Sequence, residues 1–123
     1  MESDVLVVDD SAAIRKILQR VLRQTGMSIG EIYEAGDGQE ALELLKTRSV
    51  RLILTDVNMP KMTGLEAAML IKQNSPDTKV LVISSDDDPE LALCALACGA
   101  DGFVWKSNLM KDCKSHLKRM FLP

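Results

Sequence analysis

Five short apolar segments alternate with helix-like stretches along the chain, and this alternation constrains the fold more than any other feature of the sequence. The apolar segments span residues 4–8, 29–35, 51–55, 79–83 and 102–105. Runs such as VLVV and VLVI are apolar without interruption, which is typical of parallel strands buried on both faces. Five strand–helix units in a row therefore predict a doubly wound α/β domain, with helices on both sides of one parallel sheet.

The stretches between the apolar segments carry helix signals. In the first stretch, Ile14, Leu18 and Val21 repeat at helical spacing, and Gly26 follows as a stop. Three further helix starts are predicted from capping patterns: Asp37 with Glu40, Thr63 with Glu66, and Asp88 before Pro89. A last amphipathic helix is predicted over residues 109–122, so that every predicted strand is followed by a helix.

The composition fits one compact domain and excludes several classes of protein. A chain of 123 residues, 46% of them hydrophobic, has the usual size of a single domain, which we assign to residues 1–123. The net charge of −3 offers no basic field for direct nucleic-acid binding. The longest apolar run, residues 91–98, is too short to span a membrane, and the acidic N-terminus does not resemble a secretion signal. A cytoplasmic location is therefore expected.

Charged and hydroxyl side chains collect where the predicted strands end. Asp9 and Asp10 follow the first strand. Asp56, Ser84 and Lys106 follow the third, fourth and fifth strands. The carboxyl ends of parallel strands share one edge of the sheet, where ligands of such folds bind. Clustered carboxylates repel one another unless a cation neutralises them, and oxygen ligands favour Mg²⁺ or Mn²⁺.

Asp56 is the best candidate for a nucleophile towards phosphorus, because it stands alone at a strand end beside a predicted metal site. Lys106 would contribute a point charge to phosphate, and the turn that begins at Asn58 could direct a backbone carbonyl to the metal. A simpler interpretation is that Asp10 only caps the first helix. That interpretation does not explain the ordered set of acids, hydroxyl and lysine at successive strand ends, so the functional site is preferred.

Four stretches of the sequence, VLVVDDS, LILTDVNMPKMTGLE, VLVISS and GADGFVWK, resemble the motifs of response-regulator receiver domains. The resemblance covers the whole chain and is greatest to stand-alone chemotaxis regulators of the CheY type. It implies a flavodoxin-like fold with strand order 2-1-3-4-5. It also implies a signalling switch that acts only on its own phosphoryl group, rather than an enzyme with an external substrate.

The same resemblance implies the chemistry of the site. A histidine kinase would donate a phosphoryl group to Asp56. Mg²⁺ would be held by Asp10, by Asp56 and by the backbone carbonyl of Asn58, with Asp9 bound through water. The reaction would therefore need Mg²⁺ as its cofactor and a histidine kinase as its partner.

The resemblance also implies a switch, in which Ser84 and Lys106 contact the phosphoryl oxygens while Phe103 of the fifth strand turns inward. Two positions deserve comparison with the family pattern. Ser107 stands where the family usually has proline, so a trans peptide bond is expected there. Asp86 occupies a position that resembles those tuning the access of water to the acyl phosphate.

Residues 91–98 are apolar without interruption, although a helix at this place should present one face to solvent. We interpret them as part of a docking surface on the fourth helix, fifth strand and fifth helix that includes Leu91, Ala95, Phe103 and Trp105. Its occupant would be an output protein or a second copy of the chain. The alternative is an ordinary surface of small residues from which one leucine protrudes.

Other functions stay open at this point. The chain could be the receiver part of a longer DNA-binding regulator. It could be a small Mg²⁺-dependent phosphatase or phosphotransferase, although Asn58 stands where such enzymes usually have a second acid. A receiver that only binds partners is disfavoured because the site positions are all filled. A nucleotide-binding module is disfavoured because the sequence has no glycine-rich phosphate loop.

Overall fold

A computed structural model describes residues 3–57, 64–84 and 89–121. Its centre is a sheet of five parallel strands in the order β2-β1-β3-β4-β5, which confirms the predicted order. These strands match the predicted apolar segments to within one residue at each end: β1 (Ser3–Val8), β2 (Ile29–Ala35), β3 (Leu52–Asp56), β4 (Lys79–Ser84) and β5 (Gly102–Trp105).

The described residues also form five α-helices, one after each strand: α1 (Ala12–Gln24), α2 (Gly38–Leu45), α3 (Gly64–Asn74), α4 (Pro89–Ala97) and α5 (Leu109–Phe121). A 3₁₀ turn, Lys106–Asn108, precedes α5. Asp37 caps α2 as predicted, because its side chain accepts a hydrogen bond from the Glu40 N–H. The predicted helix starts at Thr63 and Asp88 lie outside the described residues.

The first helix starts at a residue that the sequence interpretation did not choose. Ser11 is its N-cap, and the Ser11 hydroxyl accepts a hydrogen bond from the Ile14 N–H at 3.3 Å. The interpretation of Asp10 as the cap is therefore wrong, and its exposed carboxylate is left for another role. At the other end of α1, Gly26 takes a φ of 82°, a left-handed conformation that glycine adopts without strain.

Both faces of the sheet are covered, because successive strand residues point to opposite sides. On one side α1 and α5 pack on the sheet, with this core: Val5, Val7, Leu18, Val21, Leu22, Leu52, Leu54, Leu81, Ile83, Val104, Cys113 and Leu117. On the other side α2, α3 and α4 pack on residues such as Leu6, Ile53 and Val82. The sheet is thus doubly wound, and the ends of β1 and β3–β5 meet at one edge. Within the described ranges, no helix combines the length and apolar character that a membrane span requires.

Candidate functional site

Strand register brings two of the predicted carboxylates side by side. Val8 of β1 pairs with Thr55 of β3, so the next residues along these strands, Asp9 and Asp56, lie at the same edge of the sheet. Asp56 is the last residue of β3 rather than the residue after it, and it pairs with Ile83 of β4. Parallel pairing alone therefore delivers both acids to one point.

Three carboxylates and one ammonium group meet at this point, and we call the set the acidic pocket: Asp9, Asp10, Asp56 and Lys106. One carboxylate oxygen from each acid lies within 4.8 Å of the others. Lys106 Nζ is 3.2 Å from Asp9 Oδ2 and 3.5 Å from Asp56 Oδ1. One positive charge against three negative charges leaves the pocket acidic.

Burial makes the negative charge of the pocket costly. Asp9 is 2% exposed and Asp56 is 6% exposed. Burial raises the pKa of Asp56, the neighbouring charge of Asp9 raises it further, and Lys106 opposes both effects. Additional positive charge would therefore favour the ionised form of Asp56. The oxygen donors of the three acids suit a hard divalent cation such as Mg²⁺.

The backbone and side chain of Asp9 are held from several sides. Asp9 Oδ1 accepts a hydrogen bond from the Ser11 N–H at 2.9 Å, and the Asp9 carbonyl accepts one from Arg15 Nη1 at 2.6 Å. Arg15 Nε also donates to Glu34 Oε1 of β2 at 2.9 Å. The helical spacing of Ile14, Leu18 and Val21 puts Arg15 outside the apolar stripe of α1, so the sequence alone did not reveal these contacts. The negative charge of Glu34 was a possible sign of a partner for Arg15. The sequence does not show that the two residues meet, because this depends on β2 lying beside β1.

The remaining predicted pocket residues are placed as follows. Ser84 ends β4, is fully buried, and pairs with Trp105 of β5. Lys106 follows Trp105, so Ser84 and Lys106 belong to the same edge of the sheet as Asp56. The Lys106–Ser107 peptide bond is trans, as predicted. The predicted roles of Asn58 and Asp86 fall outside the described residues.

The predicted docking surface needs a correction. Ala95 is fully buried, so its side chain lines no exposed surface, and Phe103 is only 7% exposed and contributes to the surface only through the lining of a groove. The reason is that both belong to the core under α4, where the small Ala95 lets the helix approach the sheet closely. Leu91 and Trp105 are half-buried and pack against the same core.

Two leucines protrude from α4, whereas the alternative interpretation expected one. Leu93 is 68% exposed and Leu96 is 53% exposed. Beside Leu96 lies an open groove of about 580 Å³, with this lining: Lys79, Ala92, Leu96, Asp101, Gly102, Phe103, Trp105, His116 and Arg119. Trp105 Nε1 is buried and has no hydrogen-bond acceptor among the described residues. We call the exposed residues Leu93, Cys94, Leu96 and Ala97 the α4 face.

Comparison with known proteins identifies the family to which the chain belongs. Residues 5–118 match the family model of the response regulator receiver domain. The transcriptional regulatory protein DegU of Brevibacillus brevis is 34% identical over 102 residues, which cover 83% of this chain and 43% of DegU. More generally, the chain spans about half the length of the curated relatives it matches.

Two solved structures resemble the whole chain. The Vibrio cholerae chemotaxis protein CheY4 superposes with a TM-score of 0.84 at 32% identity and covers 98% of this chain and 100% of CheY4. The response regulator TrrA of Thermotoga maritima, in complex with Mg²⁺ and BeF, has a TM-score of 0.83 at 31% identity, with coverages of 98% and 100%. By sequence and by structure, the chain belongs to the response-regulator receiver family.

Proposed function

We propose that this receiver is a phospho-acceptor switch in which a histidine kinase transfers a phosphoryl group to Asp56 with Mg²⁺ as cofactor. Receiver domains take phosphate from histidine kinases and bind Mg²⁺ at an acidic pocket. The observation that carries the proposal is the position of Asp56. Its carboxylate is buried at a strand end, 3.5 Å from Lys106 and within 4.8 Å of oxygens of Asp9 and Asp10.

The proposed transfer uses the pocket in a simple way. A carboxylate oxygen of Asp56 forms a bond to phosphorus while the bond from phosphorus to the kinase histidine nitrogen breaks. Lys106 stands beside Asp56 Oδ1 and would neutralise the phosphoryl oxygens as they approach. When bound by Asp9, Asp10 and Asp56, Mg²⁺ would supply the further positive charge that the acidic pocket needs. Water later hydrolyses the acyl phosphate, which releases inorganic phosphate and returns the free carboxylate of Asp56.

Four further roles complete the proposed switch. The Asn58 carbonyl would serve as a metal ligand, and Asp86 would tune the lifetime of the acyl phosphate. Ser84 would contact the phosphoryl oxygens, and its burial beside Lys106 on neighbouring strands supports that role. Phe103 would turn inward during signalling, and in this structure its side chain is 7% exposed and belongs to the core under α4. Its ring meets Trp105 edge to face at 5.1 Å, so a movement of one ring would affect the other.

We also propose that an output protein docks on the surface of α4, β5 and α5. This location is supported by the exposed Leu93 and Leu96, by the adjoining groove, and by Trp105 Nε1, for which the described part of the chain offers no hydrogen-bond acceptor. The structural similarity to CheY4 over 98% of this chain supports one receiver domain over residues 1–123 and a role in chemotaxis. A second copy of the chain would be the other occupant of this surface.

A second candidate function is the receiver part of a longer DNA-binding regulator. It is favoured by the curated relatives, such as DegU, that are named transcriptional regulators and are about twice as long as the match. In that case the output would pass to an attached domain. The phosphorylation chemistry proposed for Asp56 is the same in both candidates.

The test of the central proposal is phosphorylation without the kinase. The protein is incubated with acetyl phosphate and MgCl₂, and its intact mass is measured by mass spectrometry. We expect the mass of one phosphoryl group to be added to the parent chain, and none to Asp56→Asn or to the parent in EDTA. Asp77→Asn, which changes an exposed acid in a different loop, serves as the matched control and should react like the parent.

The outcomes separate the candidates. An adduct on Asp56→Asn would place the acceptor elsewhere, and the absence of any adduct on the parent would overturn the proposal. Steady release of phosphate from a small phosphate ester, at many turnovers per chain, would instead favour a phosphotransferase. Retention of one phosphoryl group per chain is the expected result for a switch that acts on itself.

A further inference from the structure

Arg15 makes contacts that an arginine on the outer side of a helix does not need. Its side chain is only 19% exposed, although it lies in the first turns of the amphipathic α1. Arg15 Nη1 donates to the Asp9 carbonyl at 2.6 Å, and Arg15 Nε donates to Glu34 Oε1 at 2.9 Å. The guanidinium therefore bridges the end of β1 and the end of β2.

The carbonyl that Arg15 binds belongs to the peptide unit between Asp9 and Asp10. The orientation of this planar unit sets where the Asp10 Cα lies and where its side chain starts. The Asp9 side of the unit is anchored, because the Asp9 N–H donates to the Ala35 carbonyl at 3.1 Å and the carboxylate binds Ser11 and Lys106. Among the described residues, the Asp10 side of the unit has no comparable anchor.

Among the described residues, the Asp10 carboxylate takes part in no hydrogen bond or ion pair, and Asp10 is exposed. Its direction is therefore controlled by the backbone rather than by a side-chain partner. Within the described structure, the Arg15 side chain donates a hydrogen bond to this stretch of backbone, and Glu34 in turn orients Arg15. Groups that orient metal ligands without touching the metal matter for binding, since their mutation typically weakens metal affinity by about 10- to 100-fold.

We propose that Arg15 is a positioning residue for the metal site: it holds the Asp9–Asp10 peptide so that the Asp10 carboxylate faces Asp56. The inference rests on the proposed function, since it assumes that Asp10 contributes to Mg²⁺ binding. Electrostatics alone predicts the opposite effect of losing Arg15. Removal of a positive charge near the acidic pocket should strengthen the binding of a cation, whereas loss of positioning should weaken it.

The experiment measures Mg²⁺ affinity by isothermal titration calorimetry with MgCl₂ on the parent and on four variants. Arg15→Met should raise the Kd about 10-fold. Arg15→Lys, which retains one donor group at the same charge, should lie between the parent and Arg15→Met. Glu34→Ala removes the second anchor of the guanidinium and should raise the Kd about 3-fold. Arg20→Met, on an exposed arginine of α1, removes the same charge and should change the Kd less than about 2-fold.

Phosphorylation by acetyl phosphate adds a second readout. For Arg15→Met, we expect a higher Mg²⁺ concentration at half-maximal rate and a nearly parental rate at saturating Mg²⁺, since Asp56 and Lys106 are untouched. A merely structural role would instead lower the thermal midpoint of unfolding and leave the Kd of the folded protein unchanged. If Arg15→Met does not fold, Arg15→Lys carries the comparison, because a higher Kd at unchanged charge reports lost positioning and not electrostatics.

The results distinguish this inference from the proposed function. If the parent chain binds Mg²⁺ and Arg15→Met binds it with an equal or lower Kd, the positioning role of Arg15 is overturned and the metal site is not. A parent chain that binds no Mg²⁺ would overturn the metal site and the positioning role together. A looser Kd in Arg15→Met, with partial recovery in Arg15→Lys and little change in Arg20→Met, would establish the role.

Discussion

Proteins usually bury apolar side chains and expose charged ones, and the acidic pocket and the α4 face depart from this rule in opposite ways. In the pocket, Asp56 is 6% exposed, whereas on the α4 face Leu93 is 68% exposed. One region places charge inside the protein and the other places a large apolar side chain in water. Both arrangements are unfavourable for stability, and such departures concentrate where a protein binds something.

The two regions differ in how the departure is compensated. In the acidic pocket the compensation comes from the chain itself. Lys106 partly neutralises the carboxylates, and Asp9 accepts hydrogen bonds from the Ser11 N–H and from Arg15. Nothing comparable covers the α4 face in the described structure, where α4 has nine residues and only Ala95 is buried. The difference agrees with the two proposals made above, a Mg²⁺ site at the strand ends and the docking of an output protein at α4.

The largest expected effect tests whether the α4 face is truly free of packing. Leu18 of α1 is 1% exposed and Leu93 of α4 is 68% exposed. Leu18→Ala should lower the free energy of unfolding by about 2–5 kcal/mol, because it removes buried methyl groups and leaves a cavity. Leu93→Ala should change it by less than about 0.5 kcal/mol. Urea denaturation followed by circular dichroism measures both, and equal losses would mean that Leu93 is covered.

The next effect compares two thiols in the same fold. Burial raises the pKa of Cys113 to about 12, whereas Cys94 is exposed on the α4 face. In the native protein at pH 8, iodoacetamide should modify Cys94 at least about 100-fold faster than Cys113, because the thiolate is the reactive form. Peptide mapping by mass spectrometry measures the two rates. Cys94→Ser is the control, and rapid alkylation of Cys113 in that variant would show that α5 opens.

The smallest effect concerns how much the buried charges of the acidic pocket lower the free energy of unfolding. Burial and the charge of Asp9 raise the pKa of Asp56, so folding disfavours the ionised form of this carboxyl group. In EDTA, Asp56→Asn should therefore raise the free energy of unfolding by about 1–2 kcal/mol. The gain should shrink when Mg²⁺ is added, because only the parent binds it fully.

A matched variant completes that measurement. Asp10 is exposed, so Asp10→Asn removes one charge of the same cluster with little desolvation. Its gain in EDTA should be smaller than that of Asp56→Asn. A loss of stability in Asp56→Asn would contradict the view that the pocket sacrifices stability for binding.

Much of this protein follows from local patterns in its sequence. Uninterrupted apolar runs predict the five strands to within one residue, and the strand-end positions of Asp9, Asp56, Ser84 and Lys106 predict their convergence. These predictions succeed because parallel strands buried on both faces have a distinctive composition and because their carboxyl ends share one edge. The strand order came from family resemblance, since pattern alone does not order five similar strands.

Other features were decided only by the tertiary structure. The apolar run of α4 has no periodicity, so it does not reveal that Ala95 is buried while Leu93 and Leu96 protrude. From the sequence alone, Arg15 looks like a solvated helix residue. In the structure β2 lies beside β1, and this pairing brings Glu34 Oε1 to 2.9 Å from Arg15 Nε. In each case the deciding quantity is which neighbour covers a side chain, and that depends on the packing of segments distant in sequence rather than on the residues beside it.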